Sequence, residues 1–195
     1  MTNHSSPQNP AVTGVVLCGG GGTRMGGTDK PLIRFRGAPM VEQVVTRLAP
    51  QVDQLVISAN RNLKTYAAFG QVFTDSPMES RSPLTGVVRA FQEVASEWLM
   101  ICPGDAPLLD TALVKRLRDA APPSGAAFCH DGYRAQVLHL LLHRSLEPIL
   151  AAYLDGGHRG VEGWLNTLAR SRVVMVDCHD IAASFRNVNT TDDLD

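Results

Sequence analysis

A glycine-rich segment between Leu17 and Lys30 contains residue types suited to holding a polyphosphate. Six of its fourteen residues are glycine, at positions 19–22, 26 and 27. Because glycine has no side chain, its backbone N–H group can approach phosphate oxygens closely, and its backbone adopts angles that other residues avoid. Arg24 adds a forked donor, and Lys30 adds a mobile positive charge. We interpret the segment as a phosphate-binding loop; the alternative is a flexible surface loop.

Two familiar phosphate motifs do not fit this loop. A Walker loop needs a lysine directly after its second glycine, but Gly27 follows the Gly21–Gly26 pair. The dinucleotide fingerprint needs a third glycine three residues after the second, where Arg24 or Met25 stands. The loop therefore predicts phosphate binding of another kind.

Asp105 follows an apolar run, within the stretch Cys-Pro-Gly-Asp-Ala-Pro. Magnesium ions prefer oxygen ligands and commonly take one or two carboxylates together with phosphate oxygens. Asp105 is therefore a candidate metal ligand. The alternative is an ordinary turn aspartate, because aspartate is common before proline-rich turns.

Asn60 and Asp75 follow two further predicted strands. A carboxylate accepts hydrogen bonds from a base or a ribose, and an amide both donates and accepts them. Asparagine and aspartate are also common in turns, so each position is compatible with a purely structural role as well.

Strands and helices that alternate along the chain must position these residues. We predict strands at 13–18, 54–58, 72–74, 98–102 and 173–177, with a hairpin at 126–143 around Asp131-Gly132. Helices are predicted from Pro39 to Ala49, at 63–69 and 84–95, from Asp110 to Ala121, and at 146–154 and 161–168. This alternation indicates a three-layer α/β fold with a mainly parallel sheet and helices on both faces. In such folds ligands bind beyond the carboxyl ends of the strands, so the candidate residues are expected at one edge.

Composition limits the classes of function. The chain has 195 residues and a formal net charge of −1, which predicts no nucleic-acid-binding surface. No apolar stretch approaches the ~20 residues needed to cross a bilayer, so no membrane partner is expected. Residues 1–11 are predicted to form a disordered tail without a secretory signal, and residues 12–195 a single cytoplasmic domain. The four cysteines lack metal-like spacing and are expected to be reduced and mostly buried.

The first motif, from Leu17 to Lys30, resembles the opening of the molybdenum cofactor guanylyltransferases, a family of nucleotidyltransferases with a Rossmann-like fold. Further segments in the same order resemble this family: Gly37–Pro39, Ser58–Arg61, Thr74–Ser76, Ser82–Gly86, Cys102–Pro107, His130–Gly132 and Asn187–Thr190.

The resemblance implies a role for each candidate residue. Nucleotide binding would involve Leu17, Cys18, Gly19, Gly20, Lys30, Asn60, Asp75 and Asp105, and catalysis Arg24, Lys30 and Asp105. Asp105 would hold Mg²⁺. Asn187 and Asn189 would lie near the pterin substrate, although an asparagine helix cap explains that segment equally well.

The implied reaction transfers GMP from GTP to molybdopterin and releases pyrophosphate. The resemblance also implies transient contact with proteins that deliver molybdopterin or mature molybdoenzymes. The same fold also serves CTP or a sugar phosphate acceptor, and a non-catalytic nucleotide sensor or cofactor carrier would share the binding loop. Pyrophosphate release distinguishes an enzyme from a sensor.

Overall fold

The apolar, β-branched runs of the sequence form the strands of one seven-stranded sheet and a small hairpin. The computed structural model describes residues 11–19, 29–75 and 82–186. The strands are β1 (Val12–Leu17), β2 (Arg34–Phe35), β3 (Ala38–Pro39), β4 (Gln54–Ser58), β5 (Gln71–Phe73), β6 (Trp98–Pro103), β7 (Ala126–His130), β8 (Ala135–His143) and β9 (Val173–Asp177).

Helices connect most of these strands. They are α1 (Met40–Leu48), α2 (Leu63–Tyr66), α3 (Pro83–Glu93), α4 (Leu113–Ala120), α5 (Glu147–Asp155) and α6 (Val161–Thr167). Short 3₁₀ segments include Lys30–Leu32 and His179–Phe185. Within the ranges that the structure describes, no helix is long and apolar enough to span a bilayer.

The sheet has the strand order β5-β4-β1-β6-β8-β7-β9. Every neighbouring pair is parallel except the two pairs that involve β8. The mainly parallel three-layer α/β fold predicted from the sequence is therefore confirmed. The chain runs outward from β1 through β4 to β5 and then returns along α3 to β6, on the other side of β1. This change of direction opens a crevice at the carboxyl ends of β1 and β6.

Both faces of the sheet are covered. Along β6, Trp98, Met100 and Cys102 pack into one buried cluster with side chains of α1, α2 and α4. Leu99 and Ile101 point the other way, into a second cluster with α3, α5 and α6. Because successive side chains of a strand alternate between faces, a strand buried on both sides reads as a continuous apolar run.

Several element boundaries differ from the predicted ones. Pro39 ends β3 instead of starting α1, because Arg34–Phe35 and Ala38–Pro39 pair as a hairpin. The helix predicted from Asp110 begins only at Leu113, since the Asp110 carboxylate accepts a hydrogen bond from the Ala112 amide and forms a separate turn. Helix α2 stops at Tyr66 rather than at residue 69, and α3 ends at Glu93 rather than at 95.

Two further predictions concerned the cysteines and the N-terminal tail. All four cysteines are buried and unpaired by disulfides, as expected from the sequence. The predicted N-terminal tail lies outside the described residues up to position 10.

Candidate active site

The end of β1 is held on both sides by backbone hydrogen bonds. The Cys18 amide donates to the Ser58 carbonyl at 2.8 Å, and the Gly104 amide donates to the Leu17 carbonyl at 2.9 Å. A Cβ atom on Gly104 would lie 2.6 Å from Cys18 Sγ, so glycine is required for this close approach. These contacts place Gly19 and the turn that carries Asp105 at the same edge of the sheet.

A pocket opens at this edge between β1 and β6, at the switch point, where the chain reverses its direction of travel across the sheet. Six residues predicted from the sequence line it: Leu17, Cys18, Gly19, Lys30, Asp75 and Asp105. The other lining residues are Asp29, Pro31, Ser58, Pro83, Pro103 and Leu138. The expected convergence of the loops after β1, β5 and β6 is therefore confirmed.

Lys30 and Asp105 form an ion pair across the pocket. Lys30 Nζ lies 2.5 Å from Asp105 Oδ2, and the two side chains are about one-fifth exposed, at 22% and 20%. They are 75 residues apart in the chain. An ammonium group and a carboxylate that face one pocket provide a contact for a phosphate and an oxygen ligand for a divalent cation.

Asn60 and Asp75 form a second polar group beside the loop. The Asn60 amide donates to Asp75 Oδ1. The Thr85 hydroxyl, which donates to the Ser82 carbonyl at 2.6 Å, lies 3.4 Å from Asp75 Oδ2. A Cβ atom on Gly19 would lie 3.3 Å from Asn60 Nδ2 and within 3.8 Å of the Asp75 carboxylate oxygens. The absence of a side chain at Gly19 therefore leaves space between its backbone and these polar groups.

The six other lining residues were not predicted as site residues, and two of them, Ser58 and Leu138, show what the sequence could and could not reveal. Ser58 is buried, and its hydroxyl has no hydrogen-bond partner among the described residues. Its place at the end of a predicted strand beside Asn60 was an available signal. Leu138 reaches the pocket from β8, and no sequence signal predicts that, because the antiparallel insertion of β8 beside β6 is a long-range pairing.

Four predicted site residues lie outside the described residues: Gly20, Arg24, Asn187 and Asn189. The polar groups and loop ends that can be described are thus Leu17 to Gly19, Asp29 to Pro31, Asn60, Asp75 and Asp105.

The Cys18 thiol is not suited to act as a nucleophile. Burial, followed by the nearby negative charge of Asp29, raises the pKa of its thiol well above the ordinary value, so the sulfur stays protonated at neutral pH. The chemistry of the pocket therefore belongs to its carboxylates, its lysine and its backbone amides.

The donor set suits a metal ion that is held partly by a ligand. No group of three or more His, Cys, Asp or Glu side chains within the described ranges could hold a metal by itself. Asp105 is one of three aspartates that line the pocket, with Asp29 and Asp75. Phosphate oxygens and water commonly complete a magnesium site that the protein holds by one or two carboxylates.

Comparison with known proteins defines the family. Residues 14–173 match the model of the MobA-like NTP transferase domain. A protein of Cupriavidus taiwanensis, named molybdenum cofactor guanylyltransferase, is 41% identical over 191 residues, which cover 94% of each chain. The chain belongs to the MobA-like NTP transferase family. It is therefore a nucleotidyltransferase.

Solved structures of low sequence identity share the fold of this MobA-like transferase. The molybdopterin-guanine dinucleotide biosynthesis protein A of Archaeoglobus fulgidus is 21% identical, with a TM-score of 0.73 over 93% of this chain and 94% of that chain. A Mycobacterium tuberculosis protein solved in complex with manganese is also 21% identical, with a TM-score of 0.66 over 94% and 95% of the two chains. At this identity the likeness extends to the fold alone.

Proposed function

We propose that this enzyme transfers GMP from GTP to the terminal phosphate of molybdopterin and releases pyrophosphate. The product is the guanine dinucleotide form of the molybdenum cofactor. The observation that carries the proposal is the Lys30–Asp105 pair in the pocket at the switch point, directly beside the start of the glycine-rich loop. The name of the Cupriavidus relative supports guanine as the base.

The acceptor needs no general base. A phosphate oxygen of molybdopterin is already ionised at neutral pH and attacks the α-phosphorus of GTP, while the bond to the departing pyrophosphate breaks. Catalysis then depends on alignment and on neutralising negative charge. Lys30 contributes a positive charge at the α-phosphate, together with Arg24 from the loop. The amide of Gly19 and those that follow it, including Gly20, contact the phosphates, whereas the Cys18 amide already donates to the Ser58 carbonyl.

Asp105 is the residue that would hold the divalent metal. A bound divalent cation draws electron density from the phosphoryl group and neutralises charge on the phosphates. We propose Mg²⁺ for this enzyme, and the manganese complex of the Mycobacterium neighbour is compatible with a divalent metal in this fold. Lys30 also forms an ion pair with the Asp105 carboxylate, which neutralises part of its charge.

The remaining assignments extend the proposal to the rest of the substrates. Asn60 and Asp75 contact the nucleoside, and Asn187 and Asn189 contact the acceptor. Proteins that deliver molybdopterin or receive the product are proposed as transient partners. A cytoplasmic location and a single domain stay predictions.

The test is to replace Lys30 and Asp105 by alanine, one at a time. We expect each of the changes, Lys30→Ala and Asp105→Ala, to slow GMP transfer about 100-fold or more, because each removes a preorganised charge. Pyrophosphate release from GTP in the presence of molybdopterin is the measurement, and it also distinguishes an enzyme from a nucleotide sensor.

Lys115→Ala is the matched control. Lys115 pairs with Asp119 on the exposed surface of α4, and its side chain is 79% exposed. This change should leave the transfer rate unaltered. Normal GMP transfer after both Lys30→Ala and Asp105→Ala would contradict the mechanism.

A further inference from the structure

Asp29 is a buried carboxylate directly before Lys30. Its side chain is only 4% exposed. Asn62 Nδ2 donates to Asp29 Oδ2 at 3.1 Å, and Arg61 Nη2 lies 3.6 Å from Asp29 Oδ1. A buried carboxylate is costly unless it is paired and hydrogen-bonded, so these partners determine where the Asp29 side chain can lie.

Asp29 and Lys30 extend to different parts of the sheet edge. The Asp29 side chain is bound by residues 61–62 after β4, whereas Lys30 reaches Asp105 after β6. Strands β4 and β6 lie on opposite sides of β1. The backbone of Asp29 and Lys30 is held by a 3₁₀ turn, in which the Leu32 amide donates to the Asp29 carbonyl at 2.9 Å. A displacement of Asp29 would therefore displace Lys30.

The backbone of Asn62 is adapted to this contact. Asn62 has φ 50° and ψ 32°, a left-handed conformation that asparagine tolerates better than most residues. It stands at the N-cap of α2, yet its side chain makes no capping hydrogen bond. The amide instead donates to Asp29.

We propose that Asp29 is a positioning residue that holds Lys30 against the α-phosphate, with Asn62 as its anchor. This inference rests on the proposed function. It also links the two halves of the nucleotide site, because Asn60 and Asn62 belong to the same segment. Contact of a nucleoside with Asn60 and placement of Lys30 at the phosphate then depend on one short stretch of chain.

The substitution Asn62→Gly tests this link without straining the backbone, because glycine readily adopts positive φ. We expect kcat for GMP transfer to fall about tenfold, because misplacement of a charged group weakens transition-state contacts. The KM for GTP should change by less than about threefold, since Lys30 acts mainly after binding. Asp29→Asn is the second variant, with a similar shape and no charge, and should give the same pattern.

Arg36→Gly is the matched control. Arg36 also has a left-handed backbone, with φ 48°, but it lies exposed in the β2–β3 turn. Its replacement should leave kcat unchanged. An equal loss in Arg36→Gly and Asn62→Gly would contradict the proposal, because it would indicate a general effect of an added glycine.

A double-mutant cycle identifies the residue through which Asp29 acts. In the Lys30→Ala background, Asn62→Gly should reduce kcat by less than about twofold, because the group that it positions is already absent. Fully additive losses would overturn the proposed route through Lys30.

Chemical modification of the lysines tests the positioning independently of catalysis. The chain has three lysines, at positions 30, 64 and 115, so mass spectrometry after brief amine acylation reports each separately. In Asn62→Gly and Asp29→Asn, Lys30 should react several times faster relative to Lys115 than in the wild type. An unchanged ratio in both variants would overturn the inference. If the wild type transfers no GMP but the ratio changes as expected, the proposed function fails and the positioning role stands.

Discussion

The contact between Gly104 and Cys18 shows how single residues determine the shape of the site. A Cβ atom at position 104 would lie 2.6 Å from Cys18 Sγ, 3.2 Å from Pro31 Cβ and 3.3 Å from the Leu17 carbonyl oxygen. Gly104 precedes Asp105, so a shift of this residue also moves the candidate metal ligand. The packing at Gly104 therefore also determines where the carboxylate of Asp105 lies.

We predict that Gly104→Ala lowers the free energy of unfolding by about 1–3 kcal/mol, because the added methyl group overpacks the end of β1. GMP transfer should fall as well. Urea denaturation and the pyrophosphate assay measure the two effects.

The compensating change is Cys18→Ala, which removes the sulfur that the new methyl group would meet. The double variant should recover part of the lost stability and of the transfer rate. Failure of Cys18→Ala to restore either quantity would show that another contact dominates.

At the scale of the element, the antiparallel strand β8 buries a histidine. His139 is 2% exposed, and its ring packs edge-on against Phe185, with 4.8 Å between the ring centroids. Neither ring nitrogen has a hydrogen-bond partner among the described residues. Burial lowers the pKa of His139 to about 3, so the ring is neutral in the folded protein at neutral pH.

This histidine predicts a loss of stability in acid. Its ordinary pKa is 6.5, so between pH 6.5 and about 3 the unfolded chain binds a proton that the folded chain does not. The free energy of unfolding should therefore fall by about 1.4 kcal/mol per pH unit below pH 6.5 from this group alone. Urea denaturation of wild type and His139→Leu between pH 4 and 7 is the measurement, and the variant should show a smaller decrease.

His158→Leu serves as the comparison, because His158 is exposed in the structure. The free energy of unfolding of His158→Leu should decrease in acid as much as that of the wild type does. Parallel curves for His139→Leu and the wild type would contradict the assignment of the effect to β8.

At the scale of the whole molecule, the change of direction at β1 divides the sheet edge into two parts. Asn60 and Asp75 follow β4 and β5 on one side of β1, and Asp105 follows β6 on the other. Lys30 crosses between them and pairs with Asp105. A nucleotide that occupies the pocket would contact both parts, so binding should stabilise the fold as a unit.

Thermal denaturation with each of GTP, CTP, ATP and UTP tests this expectation and the choice of base. With Mg²⁺ present, GTP should raise Tm most, and at about 100 times its Kd the stabilisation should reach about 2.7 kcal/mol. A larger shift with CTP would indicate the cytosine nucleotide instead. The Asp75→Ala variant should show a smaller shift with GTP than the wild type does.

The sequence by itself was sufficient for features that depend on local patterns. The apolar runs of β1 and β6 predicted buried strands, because strand periodicity is a property of short segments. The phosphate loop inferred from the glycines and Lys30 stays a prediction, since residues 20–28 lie outside the described residues. The alternation of elements then predicted that the loops after β1, β5 and β6 meet at one edge. Helix boundaries such as Asp110 were less accurate, since a turn and a cap have the same local signal.

Only the tertiary structure decided which side chains pair. Lys30 meets Asp105 across 75 residues, and Asn62 binds Asp29 across 33. The antiparallel insertion of β8 brings Leu138 to the pocket and buries His139. These contacts depend on strand order and register, which are set by packing between distant segments and leave no signal in a short stretch of sequence. For this protein, local chemistry predicted the parts of the site, and long-range packing determined how those parts act on one another.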